Sequence, residues 1–177
     1  VKDNYYKASG FAQYTLKLPG NRVILNAGAR VDYFSGIKKN IAASPRFGVS
    51  YSLFANTTLS ASTGIYYQSP EYIWLTADPR NENLKFIQAN HFVVGIEHLF
   101  TPELRLSIEA YYKDYKNYPV STVIPTYVFI SSGTDNGPNL MYGEAVSEGK
   151  GISRGIDFSL HKKLTGNGFY GMINYSL

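Results

Sequence analysis

The chain has 177 residues, no cysteine and a formal net charge of +4, with 44% hydrophobic and 15% aromatic residues. The absence of cysteine excludes disulfide staples and thiolate metal sites, and no window approaches the 18 or so continuous apolar residues of a membrane helix. The 17 basic residues are scattered rather than gathered on one face, so a nucleic-acid footprint is not expected.

Taken in chain order, segment after segment alternates. GFAQYTLKL (10–18) places Ala12, Tyr14, Leu16 and Leu18 on one side, and PGN follows as a turn signal. RVILNAGARVDYF (22–34) sets Val23, Leu25, Ala27, Ala29, Val31 and Tyr33 against Ile24, Asn26, Gly28, Arg30 and Asp32. After a looser stretch, SPRFGVSYSLF (44–54) opposes Phe47, Val49, Tyr51 and Leu53 to Arg46, Gly48, Ser50 and Ser52. ANT then turns into TLSASTGIYYQ (58–68). An irregular piece over 69–87 precedes QANHFVVGIEHLF (88–100), and TPE leads into LRLSIEAYYKDYKNYP (104–119). A Gly/Ser/Pro-bearing link over 117–150 precedes GISRGIDFSLHKKL (151–164), TGNG and FYGMINYSL (169–177).

The pattern predicts about eight strands in four hairpins, with no helical stretch. Segments of roughly 9–13 residues exceed the ~5–6 of ordinary strands and suit the ~9–11 of tilted membrane strands. Tight turns alternate with longer links at 35–43, 69–87 and 117–150, as in outer-membrane barrels. The parity of the turns predicts Leu18 opposite Val23, Phe100 opposite Leu104, Ile96 opposite Ile108, Phe92 opposite Tyr112 and Leu164 opposite Phe169. The fold class is therefore an all-β, antiparallel, up-and-down transmembrane β-barrel wall, one segment over 1–177. Leu104, Leu106, Ile108, Phe92, Val94 and Ile96 are expected toward lipid, and Tyr112, Tyr115 and Tyr118 at headgroup level. Glycines at polar-face positions (Gly28, Gly48, Gly64, Gly95, Gly155) are expected to bend the wall.

Six of these stretches, NAGARVDYF, SPRFGVSYSL, TTLSASTGIYYQSP, NENLKFIQANHFVVGIEHLF, LRLSIEAYYKDYKNYP and GISRGIDFSL, resemble successive strands of TonB-dependent outer-membrane transporters. The Bacteroidota-type receptors are nearest in flavour. The resemblance implies a barrel of about 22 strands with a plugged lumen, of which this chain is an internal piece. Phe86-Ile87 replaces the usual Pro-Glu after Leu-Lys, and Leu177 is not the terminal aromatic of such barrels. Implied partners are outer-membrane lipid, a small nutrient ligand, and a plug domain with a TonB-type energy-coupling protein supplied by parts of the chain not present here. The implied location is the outer membrane of a Gram-negative bacterium, and the implied function is import of a scarce nutrient: a metal chelate, vitamin, glycan or peptide. Two alternatives stand beside this: a complete eight-stranded outer-membrane barrel with a structural or adhesive role, and a soluble ligand-carrying barrel with its oily face inward.

No nucleophile motif and no metal spacing among His91, His98 and His161 is present, so neither an enzyme nor a cofactor or metal site is expected. His98 is expected to snorkel at the interface. GTDNGPN (133–139) lacks the ligand set of a calcium loop. Candidate ligand contacts are Tyr66, Gln68, Glu71, Tyr72 and Trp74 near one rim, with Tyr127 and Phe129 in the longest link. A lumen charge network is expected among Arg30, Asp32, Arg46, Glu97, Arg105 and Glu109, with Asp32 directly opposite Arg46.

Overall fold

A computed structural model describes residues 4–123, 143–164, 166 and 168–177. The alternation predicted above becomes eight strands: β1 (Lys7–Lys17), β2 (Val23–Phe34), β3 (Ile41–Phe54), β4 (Thr57–Gln68), β5 (Ile87–Thr101), β6 (Leu104–Ser121), β7 (Ala145–Lys162) and β8 (Gly171–Ser176). Each pairs antiparallel with its sequence neighbours in the order β1 to β8. β1 and β8 do not pair, so the eight strands form an open wall. Among the described residues no helix is long and apolar enough to cross a membrane, which says nothing of strands. The longest described helix, α1 (Tyr72–Ala77), has six residues.

The tight turns carry the chemistry their sequences promised. Between β1 and β2, Pro19-Gly20 forms the corner, closed by Asn21 N–H donating to the Leu18 carbonyl at 3.0 Å. Gly20 sits at φ +82°, the left-handed position that a type II turn reserves for glycine. Leu18 N–H reaches the Val23 carbonyl as parity required. Ile96 opposes Ile108 and Phe92 opposes Tyr112, and Lys162 opposes Gly171, the register that follows from Leu164 opposite Phe169. Phe100 does not oppose Leu104: a bulge between Leu99 and Thr101 hands that place to Thr101.

Registry divides the sheet into two unlike faces. Phe92, Val94 and Ile96 share one face with Leu106, Ile108, Ile156 and Phe158. Phe92 is 53%, Val94 57% and Ile96 40% exposed. A soluble carrier would bury such a face; here it stands bare, the condition of a surface whose solvent is hydrocarbon. From Leu104 to Tyr112 the strand rises ~26 Å at ~3.3 Å per residue, or ~20 Å along the normal at a tilt near 40°, close to the ~25 Å apolar band of such barrels. Beyond Tyr112 the same face turns polar. Gln88 donates to Asn90 at 2.8 Å, Asn90 to Asp114 at 3.3 Å, and Lys116 pairs with Asp114 at 3.1 Å.

The tyrosine expectation needs correction. Tyr112 lies on the apolar face, but Tyr115 opposes Ala89 and Gly151 on the polar one. Past Tyr115 the β6–β7 pairing slips by one residue, from Tyr115↔Gly151 to Tyr118↔Gly149. A one-residue slip exchanges faces, so Tyr118 also turns to the polar side, where its ring meets that of Tyr115 at 5.9 Å between centroids. His98 meets Thr57 Oγ1 at 2.8 Å through Nδ1 and Phe100 edge-on. Several polar-face glycines lie under a neighbour's side chain: a Cβ on Gly64 would stand 3.1 Å from the Tyr66 ring, and on Gly95 3.0 Å from Ser60 Oγ.

Buried hydrophobics gather in one cluster: Phe34, Ile37, Ala42, Trp74, Leu75, Leu84, Phe86, Ile87 and Ala145. Phe34 and Ala42 share a face with Asp32, and Ile87 with Gly95. The core thus sits on the polar face, at the end of the wall away from the tight turns, under the segment between β4 and β5.

Candidate ligand-facing rim

The segment over 69–87 reads as irregular in the sequence. It folds instead into a roof made of α1 and a 3-10 turn over Pro79–Asn83. Glu71 opens α1, its carbonyl accepting from Trp74 N–H at 3.2 Å and Leu75 N–H at 3.4 Å. Asp78 caps the 3-10 turn, accepting from Arg80 N–H at 2.8 Å, with Pro79 at the first turn position, where its missing donor costs nothing.

Three elements hold the roof down. From the β2–β3 hairpin, Lys38 N–H donates to the Glu82 carbonyl at 2.8 Å, and its ammonium reaches Asn83 and Glu82 at 2.9 Å each. From β6, Asn117 donates to the Phe86 carbonyl at 3.2 Å. From β7, Ser147 Oγ accepts from Lys85 N–H at 2.9 Å, and Ala145 N–H donates to Asn81 Oδ1 at 2.7 Å. Asn81 is 1% exposed. Its Nδ2 donates to the Trp74 carbonyl at 2.7 Å and the Gly143 carbonyl at 3.2 Å, so one amide ties α1 to both flanks of the β7 start. Beside it Arg80 holds Asp78 with two nitrogens, at 2.7 and 3.0 Å, and Glu144 with the third, at 2.8 Å. The hydrogen bonds from the Arg80 side chain, then its backbone, hold the Asp78 carboxyl down at about 2, and Asp78 in turn pushes the Arg80 guanidinium up.

The candidate contacts separate. Trp74 is 2% exposed, so it is core of the roof rather than a surface for ligand: a large apolar body next to Leu75 and Leu84 buries before it recognises. Tyr72 stays 45% exposed. It joins Tyr5 and Phe34 in an aromatic group with centroids 5.4–6.0 Å apart, and Lys7 Nζ stands 4.7 Å over both the Phe34 and Tyr72 rings. Glu71 and Gln68 lie at the roof's entry. A hollow of about 460 Å³ opens between roof and hairpin beside Tyr5, Lys38, Pro79 and Glu82. Tyr127 and Phe129, with the 133–139 stretch, lie outside the described residues. Tyr66 belongs to the wall, its ring 4.4 Å from that of His91 and 4.5 Å from the Arg46 guanidinium.

The charge network also rearranges. Arg30 pairs with Asp32 at 2.8 Å along its own strand, and Arg105 with Glu97 at 3.4 Å. Asp32 does not oppose Arg46. β3 begins at Ile41, so Tyr33 meets Ile41, Asp32 meets Ala42 and Arg46 meets Gly28. Glu109 opposes Asp157. Among the described residues no group of three or more His, Asp or Glu is placed to hold a metal. Lys38, Arg80 and Asn81 join the rim without having been legible as site residues in the sequence. Asp78-Pro79 was the one legible signal, a cap followed by proline; nothing about Asn81 in the sequence marks it as a tie.

A family model described as TonB dependent receptor-like, beta-barrel, matches residues 2–177. No curated protein matches. Among solved structures, the siderophore receptor PirA from Pseudomonas aeruginosa superposes with a TM-score of 0.70 at 18% identity, over 98% of this chain and 32% of that one. A mutant of the ferric enterobactin receptor PfeA from the same species, in complex with enterobactin, gives 0.68 at 19%, over 92% and 25%. The FrpB iron transporter from Neisseria meningitidis gives 0.66 at 16%, over 97% and 25%. The chain therefore spans a quarter to a third of the length of these structures, and at such identities the likeness is one of fold. With the family model covering nearly the whole sequence, the chain belongs to the TonB-dependent receptor-like β-barrel family.

Proposed function

We propose that this chain is wall and outer rim of an energised receptor in the outer membrane of a Gram-negative bacterium, one that binds a scarce nutrient outside and admits it past a plug domain under a TonB-type partner. The carrying observation is the roof. A bare apolar face on one side of the sheet and an ordered loop assembly folded over the polar side suit a wall that meets lipid outward and ligand inward. Recognition lives on loops positioned by a rigid scaffold, and the roof brings Tyr72, Glu71 and Gln68 to the same rim. PirA is a siderophore receptor, PfeA a ferric enterobactin receptor and FrpB an iron transporter, which puts ferric chelates first among the nutrients to try.

The test uses the full-length parent in a Gram-negative host, offered ferric chelates, cobalamin, oligosaccharides and peptides, with the energy-coupling protein present or deleted. Uptake of one class that vanishes with the coupling protein is the expected result. Uptake indifferent to the coupling protein would overturn the reading.

A further inference from the structure

Above Tyr112 the outward face of the sheet changes character. Strand parity places Lys150, Ile152, Arg154 and Ile156 of β7 on that face, each exposed between more buried neighbours. Arg154 stands opposite Tyr112, and Ile152 opposite Asp114. Lys116 continues the same face of β6, its ammonium 3.1 Å from Asp114. In these rows Arg154, Lys116 and Lys150 meet one carboxylate, Asp114. Between them Ile152 is 65% and Tyr112 40% exposed.

Cations and apolar side chains mixed in this way suit neither water nor hydrocarbon, and their level explains the mixture. Tyr112 ends the apolar band, and the end away from the tight turns is the outer one. Arg154 lies at that boundary. Lys116 is four residues higher, ~13 Å along the strand and ~10 Å along the normal at a tilt near 40°. The two bracket the ~5–7 Å headgroup layer outside the hydrocarbon core, and both stems are long enough to bring their charge into it.

Beside the cations runs a row of uncharged donors and acceptors. The Tyr67 hydroxyl donates to Gln88 Oε1 at 3.4 Å, the Gln88 amide to Asn90 at 2.8 Å, and the Asn90 amide to Asp114 at 3.3 Å. The row spans β4 to β6, strands with neighbours on both sides. Whatever fills the lumen lies on the other face, so this surface meets the surrounding membrane.

We propose that this patch binds a lipid of the outer leaflet whose head group carries both phosphates and sugar hydroxyls. Arg154 and Lys116 take phosphate oxygens, and Gln88 and Asn90 take hydroxyls. A guanidinium fork fits a phosphate with two parallel bonds. Lys116 uses one of its three N–H donors on Asp114, which holds the ammonium in place and leaves two. A zwitterionic phospholipid would bring a further ammonium among three cations and offers no hydroxyls to the amide row. The proposal rests on the importer reading only insofar as that reading sets the sheet in an outer membrane.

The test is native mass spectrometry of the full-length parent, released from neutral-detergent micelles doped with lipid A (a phosphorylated, acylated diglucosamine) or with phosphatidylglycerol at equal concentration. Lipid A retained in preference to phosphatidylglycerol is expected. Its apparent affinity should fall about tenfold in Arg154→Gln and in Lys116→Gln and be partly kept in Arg154→Lys. Lys113→Gln removes a charge from the same stretch of β6 on the opposite face, and should bind like the parent. Heat-modifiable gel mobility reports the folding of each variant; where a glutamine variant misfolds, the parent's choice between the two lipids still decides. Equal retention of the two lipids by the parent, or no retention of lipid A, overturns the proposal, as do Arg154→Gln and Lys116→Gln both binding like the parent. A loss in Lys113→Gln equal to theirs is a response to net charge and overturns it too. Energised uptake without a lipid preference sinks this inference and spares the importer reading; lipid A preference without energised uptake does the reverse.

Discussion

Replacing Asn81 by alanine should unlatch the roof without unmaking the wall. The side chain is 1% exposed and makes three hydrogen bonds, to Trp74 O at 2.7 Å, Gly143 O at 3.2 Å and Ala145 N at 2.7 Å. Each such bond contributes about 1 kcal/mol net, and a buried partner left unpaired costs about 1–3 kcal/mol. A water entering the vacated space would offset part of that. The expected penalty is about 2–4 kcal/mol, confined to the roof, which raises its opening constant roughly 30- to 1,000-fold. Amide exchange of residues 72–86 in the detergent-solubilised parent reads this directly, with exchange in β5 and β6 as the internal control. Asn81→Asp sharpens the argument: it keeps the shape but aims a carboxylate at two carbonyl oxygens, so it should open the roof at least as far as alanine. Unchanged exchange over 72–86 in both variants would refute the idea that this amide is the tie.

Three further outcomes follow from the same geometry. Leu106→Arg, on the apolar face, should lower barrel stability in vesicles by roughly 2–4 kcal/mol as read by urea unfolding, whereas Ser107→Arg on the polar face should leave it nearly unchanged. Gly149→Val should cost about 1–3 kcal/mol, because its Cβ would meet Tyr118 Cβ and the Tyr118 carbonyl at 2.8 Å each with no room to yield; a thermal midpoint equal to the parent's would contradict it. The Asp78 carboxyl titrates at about 2 in the folded roof, below the ~3.9 of the unfolded chain. Its contribution is therefore whole above about pH 4 and is lost as pH falls through about 2, so roof exchange should rise over that window and Asp78→Asn should abolish the rise.

What could be read in the sequence was whatever period two and turn chemistry carry. Leu106 and Ile108 announced their face because alternation is geometric, and Pro19-Gly20 announced a corner because only a few residues fit there. Asp32 and Arg46 were mispaired because the length of the intervening loop sets the register, and β3 starts three residues earlier than Ser44; Asp32 met Arg30 on its own strand instead. Tyr118 was misplaced because a bulge has no reliable signature, yet one slipped residue exchanges the faces until the second shift, between Tyr118 and Pro119, restores the register. Trp74 was mistaken for a ligand contact because an aromatic in a loop looks the same from sequence whether it is presented or buried. Asn81 was invisible: its partners at 143 and 145 come from a strand start that alternation placed at 151.

The tie between Asn81 and Ala145 also sets a sequence of events. The two residues are 64 positions apart, and closing a free loop of that length costs about 4 kcal/mol, more than the contact itself returns. The roof therefore cannot fasten before β5, β6 and β7 have zipped together and brought Ala145 alongside. Until then Trp74, Leu75 and Leu84 lack the part of their cover that Ala145 supplies. Fastening therefore follows the pairing of β5, β6 and β7, and protection of Trp74 from solvent would serve as a clock for that stage of assembly.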